Sequence, residues 1–167
     1  PRILISLNWP GGRIGEPDRM LPRIELPIRY FETSTMMAAF PASSRKLRLL
    51  TPEPLRVVEL WPGRTPVGIM CFDYRSTTVG AYGEVGIAWP VVLDRPAPPF
   101  LPLLVEARWP GLGWWVHRLP VTTDLALHAG RSIWGYPKLL ASIEFSWRDA
   151  TRTCTLAEGG AEILRLD

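Results

Sequence analysis

Short runs of apolar, β-branched and aromatic residues recur along this chain, separated by prolines and glycines. Eighteen prolines in 167 residues leave little room for long helices, because proline breaks a helix interior. Such runs between turn signals are typical of β-strands. The chain is therefore predicted to be mainly β with minor α, and many short antiparallel strands suggest a barrel or a sandwich. The predicted strands are Ile3–Leu7, Ile24–Phe31, Arg56–Leu60, Val67–Tyr74, Val85–Leu93, Leu103–Ala107, Trp114–Arg118, Ser142–Trp147, Thr151–Leu156 and Glu162–Leu166.

The C-terminal part of the chain carries the clearest strand pattern. Polar and apolar residues alternate from Ser142 to Trp147, as expected for a strand with one buried face. A turn follows, the segment Thr151–Leu156 runs back, and a second turn contains two consecutive glycines. The pattern predicts consecutive antiparallel hairpins.

Two segments are the best helix candidates, because a residue with a short polar side chain stands where an N-cap is needed. They are Ala42–Leu50, capped by Ser43 or Ser44, and Leu125–Arg131, capped by Thr123 or Asp124. The second helix would carry Arg131 towards the loop that holds Lys138.

Lysine is rare in this chain. Nineteen residues are Lys or Arg, and only Lys46 and Lys138 are lysines. Arginine stays protonated in proteins, whereas a buried lysine can become a neutral amine that attacks a carbonyl. Lys46 lies beside arginines in SSRKLRLL, which indicates a solvated charged face. Lys138 lies among apolar residues in SIWGYPKLL, the setting of a nucleophilic amine; the alternative is a stem packed on apolar surface with its ammonium group in water.

Composition and charge limit the classes of protein to which the chain can belong. With 47% hydrophobic and 21% charged residues, residues 1–167 are predicted to form a single globular domain. The net charge of +3 comes from scattered residues without a run of five or more like charges, so nucleic acid is not an expected partner. No apolar run reaches the length of a membrane span and the N-terminal residues do not have a signal-peptide layout, so no membrane association is expected.

The cysteines and histidines do not form a recognisable metal-binding pattern. Cys71 and Cys154 are isolated, and His117 and His128 stand at no telling distance from them. We therefore expect two buried free thiols and no metal site. Free thiols fit a cytoplasmic location.

Three segments of the chain resemble the acetoacetate decarboxylase superfamily. The stretch GRSIWGYPKLL is similar to the family's active-site segment, in which Gly-Arg-Glu precedes an aromatic residue and Pro-Lys-Lys. AYGEVGIAWPVVL resembles its Tyr-x-Glu segment, and TPEPLRVV its Pro-Glu-Pro-Leu segment. The resemblance implies a closed or cone-like antiparallel β-barrel and a homo-oligomer. Chains of the family run on past the position of Asp167, so either fewer strands would close the barrel, or a second chain or a missing segment would complete it.

The resemblance also implies a carbon–carbon lyase that needs no cofactor. Lys138 would form a Schiff base with the ketone of a small keto acid, and the Glu84 carboxylate would move protons. Without the resemblance, Glu84 would be interpreted as an exposed residue near a turn. Arg131 could bind a substrate carboxylate or form a structural salt bridge, and the aromatic side chains could bind substrate or only pack. The predicted substrate-binding residues are Arg131, Tyr82, Tyr136 and Trp134.

This chain departs from the family pattern at four positions. Leu139 stands where the family has a second lysine, Ser132 replaces the Glu of Gly-Arg-Glu, and Pro41 and Ile69 fall where the decarboxylases carry an arginine and a second glutamate. Schiff-base chemistry is therefore predicted more firmly than any one substrate. Decarboxylation of an acetoacetate-like acid and aldol or dehydration chemistry on a larger oxo acid both stay open.

Two further hypotheses compete with the enzyme. The first is a non-catalytic β-barrel that binds a small apolar or acidic ligand, which the loss of the second lysine favours. The second is an Arg/Trp surface that stacks nucleic-acid bases. It would require both residue types on one exposed face, whereas alternating strands suggest that the tryptophans point inward.

Overall fold

The computed structural model describes residues 23–94, 111–148 and 151–167, which form nine strands and two helices. In chain order, the elements are β1 (Tyr30–Ser43), α1 (Ser44–Arg48), β2 (Leu55–Val57), β3 (Arg64–Thr77), β4 (Tyr82–Leu93), β5 (Leu112–Val121), α2 (Asp124–Trp134), β6 (Lys138–Leu140), β7 (Ser142–Arg148), β8 (Thr151–Glu158) and β9 (Ala161–Leu166). The predicted class, mainly β with minor α, is confirmed.

These strands belong to two sheets. The larger sheet has the order β1-β3-β4-β5-β6, and β2 pairs with the end of β4. The pair β2–β4 is antiparallel, whereas β5–β6 is parallel with Leu119 opposite Lys138. The smaller sheet has the order β7-β8-β9 and is antiparallel, with Phe145 opposite Cys154.

The expected closed, fully antiparallel barrel is wrong on both counts within the described ranges. A barrel closes when its last strand pairs with its first, but β1 and β6 are the two ends of the larger sheet's strand order. The chain instead leaves that sheet after Leu140 and starts the second one at Ser142. The pair β5–β6 is parallel because α2 crosses over between the two strands and returns the chain in the same direction.

Burial along the strands follows from their positions in the larger sheet. β3 alternates, with Thr65, Val67, Ile69 and Cys71 on its buried face. β4 lies between β3 and β5, and the residues on both of its faces are buried at every position except the last. β1 is at the edge and mostly exposed. Glu84 is thus placed in the most buried strand of the sheet.

The residues group into two compact units. The first contains the described residues 23–36, 70–85, 118–148 and 151–167, and the second contains 37–69, 86–94 and 111–117. The core of the first includes Val79, Tyr82, Val121, Ala126 and Leu127. The core of the second includes Leu47, Val57, Val67, Ile87, Trp89 and Val91. That residues 1–167 form one domain stays a prediction.

Most predicted elements occur, with shifted bounds. The three C-terminal strands were predicted to within two residues at each end. Ile24–Phe31 is wrong as a strand for most of its length, because β1 begins at Tyr30. The helix predicted over Ala42–Leu50 is shorter, from Ser44 to Arg48. The predicted strands Ile3–Leu7 and Leu103–Ala107 lie outside the described residues.

The helix α2 begins after Thr123, one of its two predicted N-caps, and runs three residues past its predicted end at Arg131, to Trp134. The Thr123 side chain accepts a hydrogen bond from the Ala126 N–H at 3.3 Å, and this hydroxyl therefore satisfies one of the free N–H groups of the first turn. At the other end Gly135 adopts a left-handed conformation with φ of +66°. The helix therefore ends at Trp134, four residues before Lys138.

Replacing Thr123 by Ala should lower the free energy of unfolding by about 1 kcal/mol, because the helix loses its N-cap acceptor. Denaturant unfolding followed by circular dichroism measures this change. Thr123→Ser keeps a hydroxyl and should retain most of the stability. Equal stabilities of Thr123→Ala and the unchanged protein would mean that the cap does not contribute.

Candidate active site

Lys138 is the first residue of β6 and is buried. Its side chain is 7% exposed, so its ammonium group does not extend into bulk water as a surface lysine does. The loop Gly135-Tyr136-Pro137 connects the end of α2 to Lys138. The Lys138 N–H donates a hydrogen bond to the Tyr136 carbonyl at 2.8 Å. The pairing of β6 with β5 fixes its backbone opposite Leu119.

Glu84 lies against this lysine. Lys138 Nζ is 2.6 Å from Glu84 Oε2, and the Glu84 side chain is 10% exposed. The contact is a buried ion pair, and Glu84 Oε2 accepts no other hydrogen bond from the described residues. A buried charge is costly unless it is paired, so each residue accounts for the burial of the other. The interpretation of Glu84 as an exposed residue near a turn is wrong.

Three tyrosines line the same region. The Tyr82 ring centroid is 5.4 Å from Lys138 Nζ, and the Tyr82 and Tyr30 hydroxyls are 3.3 Å apart. The Tyr74 ring contacts both of these rings, at 4.7 Å from Tyr82 and 4.8 Å from Tyr30. Tyr82 is 6% exposed and Tyr30 is 47% exposed, so the hydroxyl pair connects a buried residue with an exposed one.

Burial keeps these phenols protonated. It raises the pKa of Tyr82 and of Tyr74 well above the ordinary value, since a phenolate would lose its hydration. For Tyr82, the hydrogen bond with Tyr30 and then the Glu84 charge raise the pKa further. Both side chains are therefore hydrogen-bond donors at neutral pH rather than bases.

Arg131 braces the backbone of Lys138. Its Nε donates to the Lys138 carbonyl at 2.8 Å. The Gly135 N–H donates to the Arg131 carbonyl at 3.2 Å, and the Tyr136 N–H donates to the Gly130 carbonyl at 3.0 Å. The end of α2 is thus tied to the start of β6. This backbone bond is neither the substrate contact nor the salt bridge considered from the sequence, and substrate binding by Arg131 stays a prediction.

The structure does not bring the remaining predicted residues into this group. Trp134 is 50% exposed and Tyr136 is 44% exposed. Across residues 23–94, 111–148 and 151–167, neither side chain makes a hydrogen bond or ring contact with Lys138 or Glu84. Their role in substrate binding stays a prediction. Conversely, the sequence analysis did not identify Tyr30 and Tyr74 as residues near Lys138. The one available signal concerned Tyr74: its i, i+2 spacing from Phe72 places both side chains on the same face of a strand, where their rings stack.

The other titratable residues play different parts. Cys71 and Cys154 are buried free thiols, as predicted. His117 packs on Trp89 with ring centroids 5.0 Å apart. No group of three or more His, Cys, Asp or Glu side chains able to hold a metal ion occurs in the part of the chain that the structure describes.

Among the described residues, neither helix is long and apolar enough to cross a membrane.

Comparison with models of known protein families identifies the family of this chain. The model of the acetoacetate decarboxylase family matches residues 17–167, which is most of the chain. The chain belongs to the acetoacetate decarboxylase family. A comparison with proteins of curated function found no match.

Solved structures share the family fold at low identity. An acetoacetate decarboxylase structure matches with a TM-score of 0.62 and 23% identity, over 84% of this chain and 49% of its own. The acetoacetate decarboxylase of Legionella pneumophila matches with a TM-score of 0.62 and 19% identity, over 95% of this chain and 58% of its own. The chain therefore spans about half the length of the family structures that it matches.

A third structural neighbour is an enzyme of enduracididine biosynthesis. The enduracididine biosynthesis enzyme MppR, complexed with the condensation product of pyruvate and imidazole 4-carboxaldehyde, matches with a TM-score of 0.56 and 12% identity. The match covers 80% of this chain and 52% of that one. The fold of the family thus accommodates both decarboxylases and an enzyme that binds a pyruvate condensation product.

Proposed function

We propose that this protein is a Schiff-base lyase in which Lys138 forms an imine with the ketone of a small keto or oxo acid. The observation that carries the proposal is the buried contact between Lys138 Nζ and Glu84 Oε2 at 2.6 Å. A nucleophilic amine needs a neighbour that can take its proton and return it, and a carboxylate within contact distance meets that need. Lys138 and Glu84 are the proposed catalytic residues.

The proposed imine forms in steps that balance protons between the two residues. Glu84 takes one proton from the Lys138 ammonium group, and the neutral amine adds to the ketone carbon. Proton transfer through Glu84 then gives a neutral carbinolamine. The Glu84 carboxylic acid protonates its hydroxyl, water leaves, and an iminium ion remains beside the carboxylate. Tyr82, as a protonated phenol beside the amine, would hydrogen-bond to the departing oxygen.

The iminium ion can serve more than one reaction. In decarboxylation the bond to the substrate carboxylate breaks, its electron pair enters the iminium, and carbon dioxide leaves an enamine that is protonated and hydrolysed. In an aldol reaction the enamine formed by loss of a proton attacks an aldehyde carbon instead. The acetoacetate decarboxylase structures support the first reaction, and MppR, with its bound pyruvate condensation product, supports the second. Ile69 is fully buried and falls where the decarboxylases carry a second glutamate. Because isoleucine has no carboxylate, this position weighs against a decarboxylation mechanism identical to theirs.

Borohydride reduction in the presence of a keto acid should attach the acid covalently to Lys138. The protein is incubated separately with acetoacetate and with pyruvate, reduced, and digested, and mass spectrometry locates the adduct. Release of carbon dioxide from acetoacetate would then assign decarboxylation, and consumption of an added aldehyde with pyruvate would assign aldol chemistry. An adduct absent from Lys138 with both acids at pH 6 to 8 would refute the proposal.

Non-catalytic binding of a small apolar or acidic ligand is the second candidate. The buried Leu139, which replaces the second lysine of the family, favours it because the neighbouring positive charge is gone. Saturable binding of a keto acid without imine formation would identify such a protein.

The proposed lyase is completed by a small keto acid as its partner, a homo-oligomeric assembly and a cytoplasmic location.

A further inference from the structure

The stem of Lys138 occupies the space where any other residue at position 130 would have its Cβ. A Cβ added to Gly130 would lie 2.9 Å from Lys138 Cγ and closer still to Cδ and Cε. Carbon atoms pack at about 3.5–4.0 Å, so such an atom and the stem cannot coexist without movement. Three consecutive methylene groups of the lysine are therefore held against the bare backbone of α2.

A glycine at this position is not explained by the helix itself. Gly130 lies in the interior of α2 and is buried. Glycine weakens a helix interior relative to alanine, because it loses more backbone freedom on folding. No left-handed conformation calls for it there, in contrast to Gly135 with φ of +66°. The contact with the lysine stem supplies the reason for its presence.

The contact fixes the path of the amine. The Lys138 backbone is held by pairing with β5 and by the Arg131 hydrogen bond to its carbonyl. The Gly130 contact then confines Cγ to Cε, so little freedom remains in the stem before Nζ reaches Glu84 at 2.6 Å. A side chain at position 130 would push the stem away from α2 and displace Nζ.

We propose that Gly130 is a positioning residue that sets the Lys138 amine against Glu84. This inference rests on the proposed Schiff-base function for its catalytic consequence, but the contact itself can be tested without activity. Gly130 acts only through Lys138 and has no contact with substrate in this role.

The catalytic test is Gly130→Ala. We expect the rate of borohydride-trapped imine formation with acetoacetate or pyruvate to fall about 100-fold, since a displacement of about 1 Å can cost that much. The pH profile of the trapping rate should also move, because the amine leaves its contact with the carboxylate. Gly113→Ala is the matched control, since a Cβ there meets nothing within 4 Å. A Gly130→Ala protein that traps as fast as the unchanged protein, with the same pH profile, overturns the proposal.

The structural test is a double-mutant cycle in denaturant with Gly130→Ala and Lys138→Ala. Gly130→Ala should lower the unfolding midpoint when the lysine stem is present. In the Lys138→Ala background it should leave the midpoint unchanged or raise it, because the stem is gone and alanine favours the helix. An equal loss of stability in both backgrounds overturns the proposal.

The two tests separate this inference from the proposed function. If the unchanged protein forms no imine with either acid, the Schiff-base function fails, and the cycle alone decides whether Gly130 positions Lys138. If Gly130→Ala does not fold, recovery of folding in Gly130→Ala/Lys138→Ala supports the contact. Failure of that double variant to fold, when Lys138→Ala itself folds, refutes it.

Discussion

Replacing Lys138 by Met should reduce imine trapping with acetoacetate or pyruvate to the background of non-specific modification. Methionine keeps the length of the stem as far as the ε position but has no amine, so no iminium ion can form. Intact-mass measurement after borohydride reduction reports the outcome. Lys46→Met is the matched control, because Lys46 is the chain's other lysine and is exposed on α1. It should trap as well as the unchanged protein.

The same substitution should destabilise the fold, for a reason unrelated to catalysis. It leaves the Glu84 carboxylate buried without its partner, which typically costs about 3–5 kcal/mol. Lys138→Met/Glu84→Gln removes both charges and should recover much of that stability while remaining unable to trap. Persistent trapping at another residue of the folded double variant would contradict the role of Lys138.

The strands of the smaller sheet could be predicted from sequence because their signals are local. Alternation from Ser142 to Trp147 and the turns that follow specify two hairpins, and the observed β7 and β8 begin at the predicted residues. The start of α2 was predictable for the same reason, since Thr123 caps it through a contact three residues away. Local chemistry determines these elements whatever the rest of the fold does.

β1 and β6 could not be predicted in this way. β1 contains Met36 to Ala39, residues that favour helices, and its strand form depends on pairing with β3, which is distant in sequence. β6 has three residues, and it exists because α2 returns the chain alongside β5. Tertiary pairing thus overrode local propensity in both strands.

Some features of the candidate site were predictable from local sequence, and others required the tertiary structure. The unusual setting of Lys138 is visible from the rarity of lysine and its apolar neighbours, but its contact with Glu84 joins residues 54 positions apart and has no local signal. Family resemblance supplied that pairing. The contributions of Tyr30, Tyr74 and Gly130 depend on the packing of β1, β3 and α2, so they required the structure.

Replacing Glu84 by Gln should slow imine formation by a factor of about 10²–10⁴, the usual contribution of a positioned proton-transfer group. Glutamine has the shape of glutamate but cannot take the ammonium proton or protonate the departing hydroxyl. Timed borohydride quenching at several pH values measures the rate. Glu84→Asp keeps the acid one methylene further back and should give an intermediate rate. Glu144→Gln removes an exposed carboxylate on β7 and should have no effect.

The direction of the change distinguishes two roles for Glu84. If it were only a counter-ion, removing it would favour the neutral amine, since the charged form loses a partner at 2.6 Å, and trapping would become faster. If it transfers protons, trapping becomes slower although the amine is more readily neutral. A rate in Glu84→Gln equal to or above that of the unchanged protein would therefore rule out proton transfer by Glu84. A loss in Glu84→Gln that Glu84→Asp partly restores would assign that step to the carboxyl group itself.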